Sequence, residues 1–256
     1  MTVLIPTYNS QDSLNLCIKS CILGCSNPDN IKIIVGDDNI SEVNKTTLDL
    51  WKNKIEVISF NQNIGLPYMT NMLVSQVEND DDWFLLVNDD NVFDIGWDIK
   101  LSKYLEKSKK NKDLVISPNQ IEPFSSIFKQ FIIKDLGRDP KIFDLDKFWN
   151  YTKYINKENN LFEFTGGTLP IFMKKIDFMK VGGWDPIYPT NGIVADVDFF
   201  HKCKLSGLEL IRDYSLHFYH FVSLSQGNDI HKREIENSAW QYANLKWKNK
   251  LKHNLL

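Results

Sequence analysis

The chain of 256 residues carries a formal net charge of -3, with 43% hydrophobic, 25% charged and 12% aromatic residues. A chain of this length buries one substantial core, and its composition excludes the disordered and fibrous classes. The balanced charge gives no overall footprint for nucleic acid or anionic lipid. Met1 leads straight into TVLIPTYNS, without the charged region, apolar core and cleavage site of a secretory leader, and no later run approaches the ~18 apolar residues of a membrane span. The expected compartment is the cytoplasm, with peripheral contact to a membrane as an option.

In chain order, TVLIP at 2–6 predicts a strand, and SQDSLNLCIKSCILG at 10–24 a helix opened by Ser10 or Asp12. IKIIVGD at 31–37 predicts a strand and SEVNKTTLDLWKN at 41–53 a helix capped by Ser41. A strand follows at 54–60, then a helix at 66–78 with Pro67 in its first turn, then a strand in DWFLLVN at 82–88. DLVISPNQ at 113–120 reads as a further strand, 122–164 shows no clean period, and the tail from His231 is helical in pattern. Strands alternating with helices of this length build a mostly parallel sheet covered on both faces. Cys17, Cys21 and Cys25 recur every four residues and stack along one helix face, where core packing is the simpler reading than a metal site.

Open parallel sheets bind ligands outside the carboxyl ends of their strands. The segments there are PTYN at 6–9, GDDN at 36–39, NQNIG at 61–65 and NDDN at 88–91, two of them with paired aspartates. Adjacent carboxylates repel and need a partner when buried. Asn88, Asp89 and Asp90 offer only hard oxygen ligands, which suits Mg²⁺ or Mn²⁺ better than zinc. Asp37 and Asp38 have the right chemistry to accept from a pyrimidine ring N–H, with Thr7 and Tyr8 supplying a hydroxyl and a flat face.

The segments VLIPTYNS, IIVGDDNIS, NQNIGLPYMTN and LLVNDDNVF, in that order, resemble the nucleotide-binding half of the GT-A glycosyltransferases, particularly family 2. TGGTLPIFMKKIDFMKVGGWDP followed by ADVDFFHKCKLSG resembles the acceptor-side half of that group, so the likeness covers about residues 1–226. The resemblance implies a single GT-A domain: a nucleotide-sugar half at 1–120, an acceptor half at 121–226 and a helical extension at 227–256. It implies a metal-dependent, inverting transfer of one sugar from a nucleoside diphosphate sugar, UDP-type favoured, with Mn²⁺ or Mg²⁺ as cofactor. The implied acceptor is a hydroxyl of a glycan or lipid-linked glycan, with protein and nucleic acid disfavoured.

The resemblance also implies roles for matching positions. Pro6, Thr7, Tyr8, Asp37, Asp38, Asn63 and Asn71 would surround the nucleotide, with Asn88 or Asp89 nearer the ribose. Asp90 would ligate the metal, joined by His220. Asp196 would be the base and Asp198 the acidic position after it, while Gly166, Gly167, Trp184 and Asp185 would face the acceptor. This chain departs from the pattern in having Asn88 at the first position of D-x-D, Ala195 for the glutamate of an ED pair, and Thr70 where an arginine often precedes Asn71. A catalytically inactive nucleotide-sugar binding module and a nucleotidyltransferase are the alternatives left open.

Overall fold

The computed structural model describes residues 1–38, 42–108, 113–124, 130–155, 161–163, 169–222 and 230–248. The first half runs β1 (Thr2–Thr7), α1 (Gln11–Gly24), β2 (Lys32–Asp37), α2 (Glu42–Trp51), β3 (Glu56–Ser59), α3 (Leu66–Ser75), β4 (Trp83–Leu86), β5 (Asn91–Val92) and α4 (Trp97–Ser108). The second half runs β6 (Leu114–Glu122), β7 (Ile132–Ile133), α5 (Leu145–Ile155), β8 (Leu161–Glu163), β9 (Ile171–Lys174), α6 (Lys175–Lys180), α7 (Ala195–Leu205), β10 (Glu209–His220) and α8 (Ile230–Trp247).

One mixed sheet has the order β3-β2-β1-β4-β9-β6-β10-β5, with β7 beside β6 and β8 beside β10. β1 pairs in parallel with β2 and β4, and β2 with β3. β9 enters antiparallel between β4 and β6, and β10 runs parallel to β6. This is the α/β, GT-A-like architecture expected from the sequence.

The continuous apolar runs arise because both faces of the central strands are covered. Val3, Ile5, Val35, Leu85 and Val87 belong to one core cluster, with Leu14, Cys17, Ile18 and Cys21 of α1 and Trp97 and Leu101 of α4. Leu4, Ile34, Phe84 and Leu86 join the opposite cluster, with Met69 and Leu73 of α3 and Phe199 and Phe200 of α7. The alternation is the two-residue period of a strand read out in packing partners. The cysteine stripe is therefore core: Cys17 and Cys21 are buried free thiols, and burial pushes both well above their usual range.

Helix starts depart in detail from expectation. Ser10 precedes α1, but its hydroxyl donates to the Tyr8 carbonyl at 3.0 Å rather than capping the helix. Ser41 lies outside the described residues. Pro67 sits in the first turn of α3 as expected, where its missing N–H costs no helical bond. Among the described residues no helix is long and apolar enough to cross a membrane.

Candidate active site

After β3 the chain returns to the far side of β1 to form β4, so the order of strands reverses between β1 and β4. That reversal leaves a crevice at the carboxyl ends, the place where open α/β sheets bind ligands. Thr7 ends β1 and pairs in register with Asp37 at the end of β2. Val87 donates its N–H to the Leu4 carbonyl at 3.0 Å, which carries the β1–β4 pairing up to Asn88, Asp89 and Asp90.

The two adjacent aspartates are separated by their partners. Asp89 Oδ2 accepts from the Thr7 hydroxyl at 2.5 Å, with further support from the Tyr8 backbone. Burial and the neighbouring Asp90 nevertheless lift its carboxyl to about 7. Asp90 points the other way. One of its oxygens, Oδ1, is buried without a hydrogen-bond partner, and Oδ2 lies 3.5 Å from His220 Nε2. The other imidazole nitrogen, Nδ1, lies 3.0 Å from Glu122 Oε1. Burial alone would lower the His220 pKa, but the Asp90 and Glu122 carboxylates outweigh it and raise the ring to about 10.

A carboxylate with one buried oxygen unpartnered and the other beside an imidazole nitrogen fits a hard divalent cation, whose remaining ligands normally come from water and phosphate. Asp90 and His220 are the protein groups that would hold it. Glu122 was missed in the sequence because the β6 reading stopped at Gln120; the strand runs on to Glu122, which stands at a strand end like the other site residues.

Other expected residues have mixed placements. Asp37 is 4% exposed, and its Oδ1 accepts from Asn44 Nδ2 at 2.9 Å. Asn44 Oδ1 in turn receives the Ser10 N–H at 3.0 Å, so α2 braces the end of β1. Asp38 spends both oxygens on the Ile64 and Gly65 N–H groups, at 2.6 and 2.8 Å. It thus shapes the loop before α3, rather than presenting a free carboxylate to a nucleotide. Pro6 is buried in β1 opposite Gly36, whereas Tyr8 is 45% exposed at the crevice edge and Asn63 is also exposed.

Asn71 grips the turn after α6 from both ends of its amide, donating to the Trp184 carbonyl at 2.7 Å and accepting the Trp184 N–H at 2.8 Å. The Trp184 ring is 2% exposed and packs beside Phe199, so its face is spent on the core. Asp185 accepts from Lys246 Nζ at 2.6 Å and the Tyr242 hydroxyl at 2.8 Å, both on α8. Gly166 and Gly167 lie outside the described residues.

The two acidic positions of α7 behave differently. Asp198 is fully buried and accepts from the Tyr188 hydroxyl at 3.1 Å, Trp247 Nε1 at 2.6 Å and Lys246 Nζ at 2.9 Å. These bonds make it an anchor for α8. Asp196 keeps its carboxylate beside its own turn, accepting the Val197 N–H at 2.8 Å, and burial raises it to about 6. Just before it, Val194 has φ of 70°, a left-handed geometry costly for a β-branched residue.

No curated protein matches the chain. Solved structures that share the fold include GalNAc-T7 with UDP, GalNAc and Mn²⁺ (TM-score 0.62, 14% identity, 86% of this chain and 43% of that one), S. aureus TarS 1-349 (0.60, 13%, 99% and 75%), and the mannosyltransferase PcManGT from Pyrobaculum calidifontis with GDP-Man and Mn²⁺ (0.63, 12%, 98% and 64%). The chain thus spans less than half of the GalNAc-T7 chain and under two thirds of PcManGT. The family model "Glycosyl transferase family 2" matches residues 2–176, more than half of the sequence, and with the GT-A-like sheet and its crevice this places the chain in glycosyl transferase family 2.

Proposed function

We propose that the chain transfers one sugar from a nucleoside diphosphate sugar to an acceptor hydroxyl, with Mn²⁺ or Mg²⁺ held by Asp90 and His220. The observation that carries this reading is the Asp90 carboxylate at the strand-order reversal, with Oδ1 buried and unpartnered and Oδ2 turned to His220 Nε2. When bound there, a divalent cation neutralises charge that builds on a departing diphosphate. The chain's own groups account for the rest. Thr7 holds Asp89 toward β1, which leaves Asp90 as the ligand of the pair. Asp37 and Tyr8 flank the base, with uridine the favoured nucleoside; the buried carboxylate accepts a ring N–H, which cytidine lacks. The two neighbours that carry Mn²⁺ with UDP or GDP-Man support a nucleotide and metal of this class.

Asp196 is the base that takes the proton of the attacking hydroxyl. Its pKa of about 6 leaves it ionised at neutral pH yet basic enough to accept a proton in the transition state. Attack from the side opposite the departing diphosphate inverts the anomeric centre. The acceptor is a glycan, lipid-linked glycan or other hydroxyl compound.

Calorimetry of UDP, GDP, CDP and dTDP with and without Mn²⁺ tests the donor site, with Asp90→Ala as control. Metal-dependent binding of one nucleotide, lost in Asp90→Ala, is the expected result. Binding of none, or equal binding by the variant, would refute the site.

A further inference from the structure

The sheet lines up three side chains from three neighbouring strands. β6 and β10 run parallel with Ile121 opposite Tyr219, which sets Glu122 beside His220. β10 and β5 are antiparallel with His220 opposite Asn91, the residue after Asp90. Glu122 is 4% exposed, and its carbonyl accepts the Lys134 N–H at 2.8 Å. Asp90 is fixed in the same way, its carbonyl accepting the Phe221 N–H at 3.2 Å. The row therefore has little freedom to rearrange.

A carboxylate oxygen 3.0 Å from an imidazole nitrogen selects the tautomer that carries hydrogen on that nitrogen. With hydrogen on Nδ1, the Nε2 lone pair of the neutral ring is turned toward Asp90 Oδ2, 3.5 Å away. A cation that takes the place of the Nε2 proton would then find Nε2 and Asp90 Oδ2 together, next to a second carboxylate oxygen with no partner. Resting on the metal site put forward above, we propose that Glu122 is a positioning residue for the cation. It orients His220 through Nδ1–H so that Nε2 becomes a metal ligand. Partners of this kind fix ring orientation and raise ligand basicity, and their loss typically costs 10–100-fold in metal affinity.

The test measures Mn²⁺ binding to the full chain by the loss of the free-ion electron paramagnetic resonance signal, with UDP and GDP as the nucleotide probes. Glu122→Ala should weaken Mn²⁺ binding by about 10–100-fold. Glu122→Gln, whose amide oxygen accepts the same N–H, should retain most of the affinity, and nucleotide binding without metal should not change. The wild-type complex should show nitrogen hyperfine coupling from an imidazole, reduced in Glu122→Ala. Wild-type Mn²⁺ affinity in a folded Glu122→Ala variant would overturn the assignment alone, as would a Glu122→Gln variant as weak as the alanine. Absence of Mn²⁺ binding by the wild-type chain would overturn the metal site and this assignment together. Should Glu122→Ala fail to fold, nitrogen-15 NMR of the Mg²⁺-loaded wild type decides: hydrogen on His220 Nδ1 supports the assignment, and hydrogen on Nε2 refutes it.

Discussion

Replacing Asp196 by asparagine should make the protein more stable and much less active. Burial raises the carboxyl from 3.8 to about 6, so the folded chain holds this proton more tightly than the unfolded one. For a raised carboxyl, stability is lost as pH rises from 3.8 through about 6, and the full penalty is present above that. The gap corresponds to at most about 3 kcal/mol. Partial exposure of the residue reduces this to about 1–2 kcal/mol through solvent screening. Asparagine is nearly isosteric, keeps an oxygen for the Val197 N–H, and carries no charge to desolvate. Thermal unfolding at pH 8 should therefore show a Tm higher by roughly 3–6 °C for Asp196→Asn. At pH 4.5, where the folded wild-type carboxyl is mostly neutral but the unfolded one is still largely ionised, the difference should shrink to about a third. Turnover should fall by about 10²–10⁴-fold with donor affinity unchanged. A variant that melts at or below wild type at pH 8, or that shows the same difference at both pH values, would refute the desolvation argument.

The turn after α6 offers a matched pair of glycines. A side chain at Gly183 (φ +59) would meet Asn71 Oδ1 at 2.5 Å, whereas at Gly182 (φ +79) it would meet nothing within 4 Å. Gly182→Ala should cost about 1 kcal/mol in chemical denaturation, from backbone strain alone, and Gly183→Ala at least about 3, because it also breaks the Asn71 clamp on Trp184. Lys246 bridges Asp185 and the fully buried Asp198. Lys246→Met should destabilise by about 1–2 kcal/mol and expose α8 to proteolysis, because the buried Asp198 then keeps only the more distant Lys202 Nζ, at 3.8 Å, as a cationic partner. Equal stability of Lys246→Met and wild type would show that Trp247, Tyr188 and Lys202 suffice.

The first four strands were legible because each is a β-rich run bounded by turn residues, and the first three alternate with helices. β9 was not, since its place between β4 and β6 depends on pairings with segments far away in sequence. α5 was also hidden. Its apolar stripe of Leu145, Phe148, Trp149 and Ile155 is regular, but it is embedded in a stretch whose other aromatics and lysines follow no period. At the site, the strand-end rule found Thr7, Asp37, Asp89 and Asp90. Sequence could not show how the paired carboxylates divide, because Asp89 is claimed by a hydroxyl 82 residues away and Asp90 faces a histidine on the last strand. Adjacent residue types also concealed the contrast between Asp196 and Asp198. The second became an anchor only through α8, whose packing no local pattern reveals.

The Asp38 carboxylate holds the Ile64 and Gly65 amides, and the next residue, Leu66, donates its N–H to the Thr190 carbonyl at 2.7 Å. Gly65 approaches Thr190 so closely that an added side chain would meet its backbone at 2.8 Å, and Gly192 lies against Leu66 in the same way. The loop that Asp38 holds is therefore keyed to the segment that leads into Asp196. A chimera exchanging residues 1–120 between relatives would have to carry residues 186–194 with them. The loop before α3 and the segment before α7 form a matched pair, and evolution or engineering that changes one side must renegotiate the seam with the other.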